Sequence, residues 1–352
     1  MIISRTPFRI SFCGGGTDYP AWFREHGGAV VGTTIDKYCF ISVRHLPPFF
    51  EHRHRIVWSK IEMVNEIADI QHPAVRAILE DSAMNEGLEI TYSADLPARS
   101  GLGSSSSFTV GLLNALNALR GRMIPKKDLA SEAIRVEQNL IQDAVGSQDQ
   151  IWAAYGGLNH IAFHADGDFE VSPVIVTADR RREFQDSLML FFTGFSRDAA
   201  RIAERQIANM KNRADQLHAM RAQVDEALSI LHDERRPIAD LGRLMHDGWM
   251  MKRALADGVT TPQVDEIYEA GIKAGALGGK LLGAGGGGFM LFVTEPARRR
   301  QLRDRLKDLI HVSLDFDAGG SKIIVFDPDD VETANARSHA SPGQRRRDQV
   351  SR

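Results

Sequence analysis

Three observations predict an α+β fold of two successive units. Short runs rich in β-branched and aromatic residues alternate with helical patterns along the chain. The continuously apolar run LMLFFT, residues 188–193, opens a second block of mixed elements. The chain has 352 residues, 43% hydrophobic and 25% charged, which is enough for two cores. Strands and helices mixed within two blocks argue for α+β over a doubly wound sheet.

In order, residues 8–13, 29–34, 39–43 and 88–93 read as strands bounded by Gly, Pro or charge clusters. Residues 104–119 and 126–144 read as helices, the second entered at Pro125 and left near Gly146. A strand at 158–163 follows. In the second block, strand 188–193 leads into a long helical pattern with apolar positions Ala203, Ile207, Met210, Ala214, Leu217, Val224, Leu228 and Leu231. Arg221 interrupts what would be a coiled-coil seam, so this stripe reads as the core face of one domain helix. The run Gly285 to Gly288 opens the strand FMLFV, and residues 322–326 form a final strand. The expected units are 1–185 and 186–328, with the junction near residues 182–187. Residues 329–352, rich in Ala, Ser, Pro, Gly, Gln and Arg, read as a disordered tail in which Arg345 to Arg347 form a basic cluster.

The formal net charge of −3 argues against a nucleic-acid or membrane surface as main partner, so any anionic substrate must meet local cations. No apolar run has the length of a membrane span and no signal-peptide pattern is present, which gives a cytoplasmic reading. Cys13 and Cys39 lie in apolar strand-like stretches and read as core residues. Oligomeric state is open, a homodimer included.

The most informative stretch is DLPARSGLGSSSSFTVGLLN, residues 95–114. Gly101 and Gly103 let the backbone approach a ligand, and the amides of Ser104, Ser105, Ser106 and Ser107 would start a helix facing an anion. The alternative is a plain loop with a Ser N-cap. The stretch lacks the Lys of a Walker loop and the spacing of a dinucleotide fingerprint. Two further segments stand out, RTPFRISFCGGGTDY at 5–19 and GGKLLGAGGGGFMLF at 278–292. Four glycines in a row are poor core material, so a ligand-approach loop is favoured over a plain turn there. Arg9 lies inside an apolar strand and needs a carboxylate or a phosphate. Glu137 and Asp149 are twelve residues apart, the first within a helix and the second in the turn after it. From the residues alone, an exposed helix or loop carboxylate is the favoured reading of each.

These three segments, in this order and separation, resemble the motifs of the GHMP kinases, the galactokinase, homoserine kinase, mevalonate kinase and phosphomevalonate kinase superfamily. The resemblance runs to about Pro328. It implies an N-terminal domain like the second domain of ribosomal protein S5, a ferredoxin-like C-terminal domain, and an active site in the cleft between them. It implies ATP as co-substrate, with Gly101, Leu102, Gly103, Ser104, Ser105, Ser106, Ser107, Gly285 and Gly286 around the phosphates. Mg²⁺ would be held by Ser105 and Glu137. Asp149 would face the acceptor hydroxyl, and Arg9 beside it would stabilise the transferring phosphoryl group. Asp18 would bind ring hydroxyls, with Gly15, Gly16 and Thr17 admitting the sugar. Galactokinases carry a Glu-His pair where Gly15 and Gly16 stand, which disfavours galactose and leaves room for a bulkier substituent. Lys280 stands ahead of the third motif as a phosphate ligand or a solvated lysine.

Within the superfamily, the wording RTPFRISFCGGGTDYP, GSQDQIWAAYGGLN and GKLLGAGGGGFML is similar to that of bacterial D-glycero-D-manno-heptose 7-phosphate kinases. That similarity implies a sugar phosphate as acceptor and phosphorylation at the anomeric hydroxyl. Arg197, Arg201, Lys252 and Arg253 are the cations offered for the phosphate already present, although from the residues alone a solvated helix face is the favoured reading of each cluster. A kinase for fucose or another unphosphorylated sugar, and a non-catalytic sugar or nucleotide sensor, are the alternative readings.

Overall fold

The computed structural model describes residues 1–84, 86–98, 100–195 and 199–327. Among these, two sheets carry the molecule. The larger has nine strands: β1 (Ile2–Cys13), β2 (Gly28–His45), β3 (His54–Val57), β4 (Ile61–Val64), β5 (Leu88–Ala94), β6 (Asn159–Phe163), β7 (Phe169–Pro173), β12 (Phe316–Asp317) and β13 (Lys322–Phe326). The smaller has four: β8 (Leu188–Phe192), β9 (Ala276–Leu281), β10 (Phe289–Thr294) and β11 (Ile310–Val312).

The large sheet runs in the order β13-β1-β2-β5-β3-β4, with β6 and β12 also pairing β2. The two strands expected at 29–34 and 39–43 are one. Strand β2 continues through Asp36 and Lys37 because β1 pairs it on one side while β5, β6 and β12 take turns on the other. The helix Ser104–Leu119 lies against this sheet with thirteen of its residues buried, in the span its apolar pattern predicted.

The small sheet has the order β11-β8-β10-β9, all antiparallel. Numbered along the chain this is fourth, first, third, second, the strand order of the ferredoxin-like arrangement. The chain then returns to the first sheet. The strand at 322–326, assigned by the expected boundaries to the second unit, pairs with β1, and Phe316–Asp317 pairs with β2. The expected junction at 182–187 is a helix, Ala178–Ser187, that runs directly into β8. Its buried Arg180 donates to the carbonyls of Ile230 and Arg236 at 2.6 and 2.8 Å and so caps a helix of the second unit.

Two helical expectations change. The pattern from Ala203 to Leu231 is broken into helices Ala199–Asn209 and Ala214–His232 by a 3₁₀ turn at Met210–Arg213. Asn209 there donates its side-chain amide to Leu255 O at 2.6 Å. The helix expected over 126–144 ends at Arg135 and passes into a π-helical turn, Val136–Leu140. Cys13 and Cys39 are both buried free thiols. No described helix is long and apolar enough to cross a membrane. The tail expected at 329–352 lies outside the described residues.

Candidate active site

Strand β1 sends Arg9 across the molecule to a single carboxylate. Arg9 Nε donates to Asp149 Oδ1 at 2.7 Å and Nη2 to Oδ2 at 2.6 Å, a two-pronged pair whose guanidinium is only 5% exposed while Asp149 keeps 24%. Nη1 donates to Gly101 O at 2.7 Å, and the Arg9 amide to Leu102 O at 3.1 Å. The first and second motifs are thus joined through one residue. Asp149 stands in the first turn of the helix Gln148–Tyr155, not in the turn before it. Its carboxylate is held through both oxygens and stays partly open to solvent.

Gly103 lies against this pair and starts the helix Ser104–Leu119 in a left-handed conformation. The four serines then diverge. Ser107 closes the first turn, giving its amide to Gly103 O at 2.8 Å and its hydroxyl to Pro7 O at 3.0 Å, so both its polar groups are consumed. Ser105 is exposed, and the amides of Ser105 and Ser106 belong to the helix-start donors that suit an anion. Leu102 is fully buried.

The third motif meets the second backbone to backbone. A Cβ on Gly283, where φ is +72°, would lie 2.5 Å from Gly101 Cα, so neither glycine can be replaced without parting the loops. The motif was expected to bring amides to the cleft. Gly286 N donates instead to Val259 O at 3.0 Å and Gly288 N to Phe195 O at 2.9 Å. The close approach of this loop is to the protein itself, and Gly286 offers no amide to a ligand.

Glu137 sits in the π-helical turn and is 1% exposed. It accepts from Ser106 Oγ and Thr109 Oγ1, both at 2.8 Å, and from Gln150 Nε2. Burial pushes it up to about 7 despite these donors, and among the described residues no cation counters it. A buried carboxylate with a neighbouring hydroxyl is an oxygen donor set of the kind Mg²⁺ takes, and a cation is what it lacks. The serine on Glu137 is Ser106, whereas the sequence pointed to Ser105.

Asp18, 2% exposed, accepts from Gly16 N at 2.9 Å. Burial raises its pKa, and the nearby Asp149 adds to the rise, while the Gln148 side chain works against it. Thr17 does not face the cleft: it is fully buried, and its hydroxyl bonds Gly14 O at 2.8 Å and Ala29 O at 2.9 Å. It ties the glycine loop to β2.

The cations expected for a substrate phosphate do not assemble. Lys252 and Arg253 are helix neighbours that point apart. Arg253 pairs with Asp265 at 3.1 Å. Lys252 is buried and donates to Leu281 O at 3.1 Å and to Gly283 O. Burial holds its pKa well below the usual lysine value, helped by the charges of Lys280 and Arg9, while Asp18 and Asp149 oppose this. Arg201 is exposed, and Arg197 lies outside the described residues. Lys280, also buried, reaches from β9 to donate to Phe12 O on β1 at 3.1 Å, and burial lowers it to about 8. The sequence offered Lys252 to the substrate phosphate and Lys280 as a phosphate ligand or a solvated lysine, whereas both side chains are buried and spent on backbone carbonyls.

Comparison with known proteins agrees with this geometry. The GHMP kinases N-terminal domain model matches residues 68–157 and the GHMP kinases C-terminal model residues 226–311, together half of the chain. The chain is 27% identical over 318 residues to D-glycero-alpha-D-manno-heptose 7-phosphate kinase of Campylobacter jejuni, covering 87% of this chain and 93% of that protein. It is also 27% identical over 337 residues to L-fucokinase/L-fucose-1-P guanylyltransferase of Bacteroides fragilis, covering 84% of this chain but 35% of that longer protein. In fold it is similar to the crystal structure of a D-glycero-D-manno-heptose 1-phosphate kinase from Bacteriodes thetaiotaomicron, with TM-score 0.75 at 21% identity over 92% of this chain and 99% of that one. Lactococcus lactis galactokinase follows at TM-score 0.70 and 17% identity, covering 91% and 94%. With both of its domain models matched and their motifs converging on one cleft, the chain belongs to the GHMP kinases, phosphotransferases that use ATP as co-substrate.

Proposed function

We propose that the chain transfers the γ-phosphoryl group of ATP to the anomeric C1 hydroxyl of D-glycero-D-manno-heptose 7-phosphate, giving the 1,7-bisphosphate for nucleotide-activated heptose and surface polysaccharide. The observation that carries the chemistry is the Arg9–Asp149 pair at Gly103, the start of the serine helix. The acceptor is drawn from the relative that the chain matches over nearly its whole length.

Asp149 takes the proton of the sugar hydroxyl as its oxygen bonds to the γ-phosphorus, and the bond to the bridging oxygen of ADP breaks. Arg9 fixes the carboxylate and places a cation beside the transferring group. The serine amides receive the phosphates. Mg²⁺ held by Glu137 and Ser106 would neutralise charge on the β- and γ-phosphates. Lys280 adds buried positive charge close to the pair, and the buried Lys252 amine lies beside it.

A second reading, a kinase for fucose or a similar unphosphorylated sugar, is favoured by one observation. The Arg253–Asp265 pair and the loop-bound Lys252 give no cationic pair for a phosphate already on the substrate. Phosphoryl transfer to heptose 7-phosphate, heptose and fucose, with the product examined by ³¹P NMR, separates the two. Coupling of the new phosphorus to the anomeric proton is expected, and phosphorylation at another carbon would overturn the C1 assignment.

A further inference from the structure

Of the three glycines in the first motif, Gly15 is the one that the fold does not require. Gly14 and Gly16 have φ of +85° and +106°, and a Cβ on Gly14 would lie 2.0 Å from Ala29 O. Gly15 is absent from the positive-φ residues, and a Cβ there would meet nothing nearer than 3.8 Å, namely Gln148 Nε2 and Ser11 Oγ. The room beside Gly15 is therefore lined by two polar side chains from different elements. Ser11 lies two residues beyond Arg9 on β1, hence on the same face of the strand. Gln148 immediately precedes Asp149.

Both residues are more than nine-tenths buried, Ser11 at 7% and Gln148 at 8% exposure. Each has an oxygen shut away from solvent with no hydrogen-bond partner among the described residues, Ser11 Oγ and Gln148 Oε1. Leaving such atoms unpaired is costly, and native sites of this kind have a reason for it. The Gln148 side chain lies near enough to Asp18 to work against the rise that burial gives the Asp18 pKa, and Gln148 Oε1 is left as an unpaired acceptor.

We propose that Ser11 and Gln148 contact hydroxyl groups of the acceptor sugar, and that Gly15 lacks a side chain to admit that part of the sugar. This rests on the sugar-kinase reading above. A hydroxyl can donate to Gln148 Oε1 and pair with Ser11 Oγ. A phosphate dianion cannot, because it would set its oxygens against Oε1 and the Asp18 carboxylate. The subsite takes the polyol of the acceptor, and a phosphate the acceptor already carries is seated elsewhere.

The test is steady-state kinetics of the full chain and of Ser11→Ala, Gln148→Met and Gly15→Ala. The acceptors are heptose 7-phosphate, heptose, fucose and deoxy analogues of whichever sugar is turned over, with ATP affinity measured by calorimetry. Each substitution is expected to lower kcat/KM for the sugar ~10- to 100-fold, mainly through KM, with ATP Kd within about 2-fold of wild type. One deoxy analogue should be poor for wild type yet cost Ser11→Ala little further, since its partner is already gone. A structural role would instead lower all acceptors equally, and that result overturns the inference. Should Gln148→Met fail to fold, Ser11→Ala and Gly15→Ala decide. Wild-type turnover that these variants leave unchanged overturns this inference alone. Absence of wild-type turnover with every sugar overturns the sugar-kinase reading and the inference with it.

Discussion

Arg9 holds Asp149 by both carboxylate oxygens, at 2.7 and 2.6 Å, and spends its third nitrogen on the Gly101 carbonyl. The carboxylate proposed to act on the acceptor is thereby tied to the serine loop proposed to receive the nucleotide. Asp149→Asn is expected to lower kcat ~10²- to 10⁴-fold with ATP affinity retained, because the carboxylate acts on the acceptor. Arg9→Lys keeps the charge but loses the planar fork, so it should fall between wild type and Asp149→Asn. Retention of more than about a tenth of wild-type kcat by Asp149→Asn would remove it from the proton-transfer role.

Glu137 gives a pH dependence whose sign follows from its environment. Burial raises it from 4.5 to about 7, so the folded state binds its proton more tightly than the unfolded state between those values. Stability from this group is fully present below the unfolded value and is lost as pH rises through about 7, by ~3 kcal/mol at most. A metal ion needs the ionised form, so the Mg²⁺ concentration for half-maximal rate should fall as pH rises through the same range. Glu137→Gln should flatten both profiles. A thermal-shift and Mg²⁺ titration series at several pH values checks this, and unchanged Mg²⁺ dependence in the variant would exclude Glu137 from the metal site.

Lys252 and Arg253 should separate in their effects. Arg253→Ala breaks a partly exposed pair with Asp265 and is expected to cost ~0–1 kcal/mol of stability, with acceptor preference unchanged. Lys252→Met removes a buried amine that donates to Leu281 O and Gly283 O, so it should lower kcat and loosen the third motif. Denaturant unfolding alongside kinetics distinguishes them. Equal effects of the two substitutions would contradict the divergent orientation.

Gly283→Ala should weaken ATP binding with a smaller loss of stability than a core truncation. Its Cβ would come 2.5 Å from Gly101 Cα and push the serine loop away from Arg9. Calorimetric ATP affinity like that of wild type would show that the loop contact is dispensable.

Sequence legibility followed the strength of local signals. The serine helix was readable in its full span because a glycine loop and a continuous apolar pattern mark its start and course. Arg9 announced its need for an anion by standing in an apolar strand, and Asp149 answers it. Strand β2 read as two because the polar pair Asp36–Lys37 interrupts its apolar run, although backbone pairing carries it through. The π-helical turn at Glu137 and the switch from Ser105 to Ser106 are tertiary results that no local pattern carries. Lys252 and Arg253 are adjacent letters with opposite fates, since which one turns inward is set by the packing of their helix on β9. Thr17 was grouped with the sugar contacts by its place in GGGTDY, yet its hydroxyl is taken up by β2.

The most direct measurement is kcat/KM for heptose 7-phosphate, heptose and fucose with ATP, in wild type and in Asp149→Asn. The account predicts that wild type prefers heptose 7-phosphate over heptose ~30- to 1,000-fold, as one or two charge-assisted contacts to a phosphate would give. It also predicts that the Asp149 substitution lowers turnover of every acceptor by a similar factor. Equal use of heptose and heptose 7-phosphate, or a preference for fucose, would contradict the heptose-phosphate assignment, and an active Asp149→Asn variant would contradict the mechanism itself.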